Sequence, residues 1–94
     1  MTNAPYELIV AGPASRTIAE HLPEAVAAAV IDLITGALIE NPRRVGRELR
    51  HDLAGIHSAR RGSYRVLYRI DDAAHTVTVL RLDHRSDVYR PRDH

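Results

Sequence analysis

Arginine is the residue type through which this sequence could do chemistry. All thirteen basic residues are arginine and none is lysine. A guanidinium group presents a rigid fork of donors that suits bidentate contact with phosphate, but it does not release its proton near neutral pH. The sequence therefore provides well for binding a phosphate group and provides few groups for moving a proton.

These arginines are concentrated in the middle third of the chain. The formal net charge of +1 argues, taken alone, against a protein that binds nucleic acid. Residues 41–70, however, contain eight arginines against Glu48 and Asp52, a local charge of +6. A charge of that density creates a strong local field. It forms either a solvated surface or a face that binds a polyanion.

Several classes of protein are excluded by what the chain lacks. Without cysteine there is no disulfide framework and no thiolate metal site, and no pair of histidines has the spacing of metal ligands. No apolar run approaches the roughly 18–20 residues that span a bilayer, and neither a signal peptide nor a Gly-rich phosphate loop is present. We expect one cytoplasmic domain, residues 1–94, that uses no metal or cofactor.

The elements that position the arginines follow from the hydrophobic pattern. It predicts two helices, over residues 16–22 and 24–40, and four strands, over residues 6–10, 56–61, 64–70 and 76–83. Ser15 is a candidate cap for the first helix, and a polar arm over residues 43–52 follows the second. The order β-α-α-β-β-β predicts an α+β fold with two N-terminal helices packed on one face of a small, largely antiparallel, twisted sheet.

The strand over residues 64–70 alternates most clearly between apolar and basic residues. Its apolar face is expected to meet the helices, which leaves Arg65 on the uncovered face. By the same parity argument, side chains of the neighbouring strands reach this face. We expect a concave patch made by Tyr89 and four arginines: Arg60, Arg65, Arg81 and Arg85. A tyrosine at position 89 could also simply pack the tail onto the sheet.

Two of the six histidines, His57 and His84, are expected nearer this patch than the others. His84 adjoins Arg85, and it is the histidine that we consider for proton transfer. The rest are predicted at surface or hairpin positions.

Four motifs taken together resemble the RelE branch of the RelE/ParE toxins. They are Asn-Pro-Arg-Arg-Val-Gly at 41–46, Leu-Ala-Gly at 53–55, Arg-Arg-Gly-Ser-Tyr-Arg-Val-Leu-Tyr at 60–68 and His-Arg-Ser-Asp-Val-Tyr-Arg at 84–90. Their order and spacing are similar to the family's over nearly the whole chain. The resemblance implies a RelE-like microbial RNase fold and the toxin of a bacterial type II toxin–antitoxin pair.

The activity implied by this resemblance is metal-independent endoribonuclease cleavage of mRNA, typically in the ribosomal A site. In the family the 2′-hydroxyl attacks the adjacent phosphate, and translation arrests. The implied partners are mRNA on the ribosome with contacts to 16S rRNA, a RelB-type antitoxin that neutralises the toxin, and operator DNA bound by the toxin–antitoxin complex. No membrane is implied.

The resemblance also implies roles for single residues. Arg65 matches the family's phosphate-clamping arginine, and Arg85 matches the C-terminal arginine placed for the leaving oxygen or the phosphoryl oxygens. Tyr89 matches a C-terminal tyrosine that stacks on a base or takes part in proton transfer. The residues expected to contact RNA are Arg47, Ser58, Arg60, Arg61 and Arg81.

Three positions depart from the family pattern. Ser58 stands where a lysine or arginine is common, Glu48 where proline is common, and His57 where an aromatic residue is common. A general base or acid needs a pKa near neutral pH, so without lysine the candidates are Tyr89, His84, Glu48 and His57.

Two other functions stay open. One is a gyrase inhibitor of the ParE type on the same fold, against which the Arg85–Tyr89 pair argues. The other is a non-catalytic relative that binds only the antitoxin and operator DNA.

Overall fold

The computed structural model describes residues 4–49 and 55–84 as four helices and five strands. The helices are α1 (Gly12–Glu20), α2 (Glu24–Thr35), α3 (Ala37–Glu40) and α4 (Pro42–Val45). The strands are β1 (Glu7–Val10), β2 (Arg47–Glu48), β3 (Ile56–Arg61), β4 (Tyr64–Asp71) and β5 (Thr76–His84). No helix in these ranges is long and apolar enough to cross a membrane.

The strands form one sheet in the order β1-β5-β4-β3-β2. Strand β1 runs parallel to β5, and the other pairs are antiparallel. The helices and one face of the sheet share the hydrophobic core, in which Val30 of α2 and Tyr68 of β4 are fully buried. The predicted α+β class is therefore confirmed, with β2 as an additional short strand.

The predicted second helix is interrupted at Gly36. This residue has φ −124° and ψ −99°, outside the helical region, and α2 ends one residue before it. A Cβ atom at this position would lie 3.0 Å from the carbonyl oxygen of Asp32. Glycine thus permits a close backbone approach that redirects the chain into the single turn of α3.

The first helix begins earlier than predicted. Helix α1 starts at Gly12 with Pro13 in its first turn, where the missing amide hydrogen of proline costs nothing. Ser15 lies inside the helix and donates its backbone N–H to the carbonyl of Ala11 at 2.9 Å. The prediction that Ser15 caps the helix was wrong, because the fixed φ of Pro13 lets the helix start before it.

The segment predicted as a polar arm is structured where the structure describes it. Its first residues form α4 and β2, and β2 pairs with β3 through Arg47–Ser58 and Glu48–His57. The buried hydroxyl of Tyr68 donates a hydrogen bond to the carbonyl of Pro42. This hydrogen bond connects α4 to β4 in the centre of the sheet. It thereby helps to position β2, which follows α4, at the edge of the sheet beside β3. Residues 50–54 lie outside the described part of the chain.

Candidate nucleic-acid interface

The face of the sheet that turns away from the core carries the arginines, and we call it the open face. Directly paired residues of neighbouring strands point to the same side of a sheet. The pairs Arg60–Arg65 and Arg65–Asp83 therefore form one row across β3, β4 and β5 on the open face. The next row crosses β2 to β5 and contains Arg47, Ser58, Leu67 and Arg81.

A β-bulge in β5 shapes this face. Tyr68 pairs with Val79 and Leu67 pairs with Arg81, so Leu80 is left as an extra residue without a partner on β4. Val79 is part of the core, whereas Leu80 and Arg81 line the same depression on the open face. A bulge commonly re-aims side chains in this way, and here it places an apolar and a basic side chain next to each other.

The electrostatics of the two rows favour an anionic ligand. Arg60 and Arg81 are exposed and Arg65 is half-buried, and the acidic residue of these rows is Asp83. The Nε atom of Arg81 lies 3.3 Å from a carboxylate oxygen of Asp83. Guanidinium groups carried on neighbouring strands can together donate hydrogen bonds to the oxygens of one phosphate.

The pairing register of the strands places most of the predicted RNA-contacting residues on one face of the sheet. On the open face it places together five of the predicted site residues: Arg47, Ser58, Arg60, Arg65 and Arg81. Arg61 pairs with Tyr64 and lies on the opposite face. Arg85 and Tyr89 fall outside the described residues, and their convergence on the patch stays a prediction.

The two histidines expected near the patch lie on the other face of the sheet. His84 pairs with Tyr64, and the two rings meet edge to face with centroids 4.9 Å apart. His57 pairs with Tyr68 and stacks on its ring at 5.5 Å. Both positions follow from the alternation of the strands, because a residue next to one on the open face points the opposite way.

His57 is held in an environment that disfavours its charged form. Its Nδ1 atom is buried and has no hydrogen-bond partner among the residues described. Burial lowers the pKa of His57, with a smaller opposing effect from the carboxylate of Glu48 and a further lowering from Arg43. Tyr68 beneath it stays protonated, since burial raises its pKa to about 12. Neither group suits a role as a general base on the open face.

We predict that His57 makes the fold sensitive to mild acid. Because its pKa is lower in the folded than in the unfolded chain, the unfolded chain binds the proton first, and stability falls as pH drops below about 6.5. The variant His57→Phe keeps an aromatic ring on Tyr68 but cannot titrate. Urea unfolding between pH 8 and 5 should therefore show a smaller loss of unfolding free energy for His57→Phe than for the parent chain. Equal pH dependences of the unfolding free energy for His57→Phe and the parent chain would contradict the assignment.

A second polar cluster, which the sequence did not reveal, lies at the other end of the molecule. Asp72, in the β4–β5 turn, accepts a bidentate contact from Arg43 at 3.0 and 2.7 Å and a hydrogen bond from the Tyr6 hydroxyl at 2.7 Å. These donors lower the pKa of Asp72 to about 2. The Tyr6 ring stacks on His75 at 4.0 Å beside a cleft of about 770 Å³. Partners so far apart in sequence give no local pattern that could have predicted the cluster.

A metal site is not indicated in the part of the chain that the structure covers. Residues 4–49 and 55–84 contain no group of three or more His, Asp or Glu side chains placed to hold a metal ion. Independently of this, the guanidinium groups of the open face are of a chemical type that suits contact with phosphate.

Comparison with known proteins connects this arrangement to toxins. The family of ParE toxins of the type II toxin–antitoxin system parDE matches residues 14–89. The toxin RelE of Mycobacterium tuberculosis is 46% identical over 86 residues, which are 92% of this chain and 88% of the relative. The toxin RelG of the same organism is 50% identical over 86 residues, covering 92% and 98% of the two chains.

Solved structures have the same fold. A chain in the crystal structure of the toxin–antitoxin complex RelBE2 from M. tuberculosis superimposes with a TM-score of 0.81 at 49% identity, over 87% of this chain and all of that chain. The isolated RelE toxin of Escherichia coli gives a TM-score of 0.71 at 22% identity, over 89% and 90% of the two chains, a likeness of fold alone.

Proposed function

The chain belongs to the RelE/ParE family of type II toxin–antitoxin toxins, and on this premise we propose that it is an endoribonuclease that cleaves mRNA in the ribosomal A site and arrests translation. The observation that carries the proposal is the row of Arg60 and Arg65 beside Arg81 on the open face. These groups provide the fixed positive charge that phosphodiester cleavage requires. Such a toxin acts in the cytoplasm, where its substrate is.

In the proposed reaction the RNA supplies its own nucleophile. The 2′-oxygen bonds to the adjacent phosphorus as its proton passes to a base, and the bond from phosphorus to the 5′-oxygen breaks as that oxygen gains a proton. The products are a 2′,3′-cyclic phosphate, which can open to a 3′-phosphate, and a 5′-hydroxyl end. Arg65 is assigned to the phosphoryl oxygens and Arg85 to the phosphoryl or leaving oxygen. No step requires a metal.

Proton transfer is assigned first to Tyr89. Glu48 and His57 face each other across β2 and β3 on the side of the sheet that meets the core. The Glu48 carboxylate also accepts the backbone N–H of Gly55 at 2.9 Å. His84 shares the side of Tyr64. These placements favour Tyr89 over the other candidates, and exact positioning on the ribosome supplies the remaining rate enhancement.

The proposed protein partner is a RelB-type antitoxin. The 49% identical chain noted above was crystallised as part of a toxin–antitoxin complex, which supports an equivalent partner here. We propose that this antitoxin neutralises the toxin and that the complex binds operator DNA. Co-expression with the small open reading frame adjacent to the gene, followed by purification of the tagged toxin, tests the partnership.

Primer extension on cellular mRNA after brief induction tests the activity. The proposal expects new 5′ ends within codons of translated messages and none in untranslated regions. An intact, induced protein that arrests growth without producing such ends would contradict it.

A gyrase inhibitor is the second candidate, because the matching family model describes ParE toxins. It predicts a DNA-damage response on induction without mRNA fragments. The high identity to RelE and RelG over nearly the whole chain is the reason to place it second. A non-catalytic, regulatory relative would show no toxicity at all.

A further inference from the structure

An apolar depression lies on the open face beside the arginines, and the proposed cleavage reaction does not use it. It measures about 190 Å³ and is lined by Ile56, Leu67, Leu80 and Arg81. Leu67 is 5% exposed although it is not part of the core that packs against the helices. We call this depression the apolar dent.

The dent results from two features of the strands. Leu67 occupies a position of β4 at which the neighbouring open-face residues are Arg65 and Arg69. The bulge adds Leu80 to the same side as Arg81, where regular alternation would have allowed one of the two. An apolar side chain has thus been added where a basic surface already exists.

We propose that the apolar dent seats one unpaired nucleobase of the RNA substrate, which rests on the proposed function for the identity of the ligand. The aliphatic side chains offer a surface for the flat, weakly hydrated face of a base, and Arg81 at the rim can donate hydrogen bonds to its edge. The Arg60–Arg65 row lies two residues further along the strands, about 6.7 Å away. A base in the dent therefore leaves its attached phosphate within reach of those guanidinium groups.

The charge around the dent favours a base over an apolar side chain of a protein. Among the residues described, the row of Leu67 and Arg81 and the adjoining Arg60–Arg65 row carry one carboxylate, Asp83, and four arginines: Arg47, Arg60, Arg65 and Arg81. A leucine or phenylalanine side chain from a partner would fill the dent but would bring no negative charge to this basic surface. A nucleotide supplies an apolar ring and an anion in one ligand.

Methyl NMR of the full chain tests base binding in the apolar dent directly. We expect the methyl resonances of Leu67 and Leu80 to shift saturably with nucleoside 5′-monophosphates and to stay in place with ribose 5-phosphate or inorganic phosphate. Leu80→Ser removes aliphatic surface that the base would bury and should weaken nucleotide binding by about tenfold. The control Ile9→Ser alters an exposed apolar residue that lies on the open face outside the dent, and it should bind like the parent protein.

Three results would contradict nucleobase binding in the apolar dent. The methyl resonances of Leu67 and Leu80 could stay unchanged with every nucleoside 5′-monophosphate, or inorganic phosphate could produce the same shifts. Alternatively, only a bound antitoxin could shift them. The same preparation is assayed separately for mRNA cleavage. Nucleotide-specific chemical shifts without mRNA cleavage would contradict the proposed activity and support base binding in the dent. Cleavage with unchanged methyl resonances would contradict base binding in the dent and support the activity.

Discussion

Replacing Arg65 by alanine is expected to slow mRNA cleavage by about a hundredfold or more and to abolish growth arrest on induction. Arg65 is a half-buried residue in the middle of its row, and removing one preorganised donor from a charged transition state costs a factor of that size. Single-turnover cleavage of mRNA on programmed ribosomes gives the rate.

The matched control for this variant is Arg69→Ala. Arg69 lies on the same strand and the same open face but is exposed and two rows from Arg65. It should cleave at nearly the parent rate, and both variants should bind the antitoxin. Equal losses for the two arginines would indicate a general effect of positive charge and would contradict the assignment of Arg65 to the reacting phosphate.

Replacing Gly46 by alanine is expected to destabilise the fold strongly. A Cβ atom there would lie 2.6 Å from the carbonyl oxygen of Ser58 and 2.5 Å from the hydroxyl oxygen of Tyr68. Because the first of these is backbone, β2 must move away from β3 and the Tyr68–Pro42 hydrogen bond must distort. Overpacking of this kind costs about 2 kcal/mol, which lowers the melting temperature by roughly 10 °C in a domain of this size.

Gly12→Ala serves as the control for Gly46→Ala. Its added Cβ would approach only the end of the Arg16 side chain, at 4.0 Å, so its melting temperature should stay at the parent value. Calorimetry of the three proteins makes the comparison. A Gly46→Ala protein that melts at the parent temperature would show that the α4–β2 junction adjusts freely and would contradict this prediction.

The alternation of apolar and polar residues in the strands was the sequence feature that best predicted the structure. The limits of β3 were predicted as observed, and the alternation of β4 correctly placed Val66 and Tyr68 in the core with Arg65 on the other side. These predictions succeeded because one buried face imposes a period of two on the residue types.

What the sequence did not reveal depends on contacts between distant residues. The break at Gly36 has a backbone geometry in which a Cβ atom would crowd the carbonyl oxygen of Asp32, and β2 exists because β3 accepts it as a partner. The bulge at Leu80 did leave a signal: the core positions of β5 change from odd to even between Val79 and Leu82. A prediction that assumed regular alternation through β5 could not include the apolar dent.

End mapping with purified protein and programmed ribosomes tests most directly whether this protein cleaves ribosome-bound mRNA at its open face. Cleavage within the A-site codon, leaving a 2′,3′-cyclic or 3′-phosphate on one fragment and a 5′-hydroxyl on the other, is the predicted result, with almost none from Arg65→Ala. Uncut mRNA after incubation with parent protein that is folded and still binds its antitoxin would contradict the proposed activity.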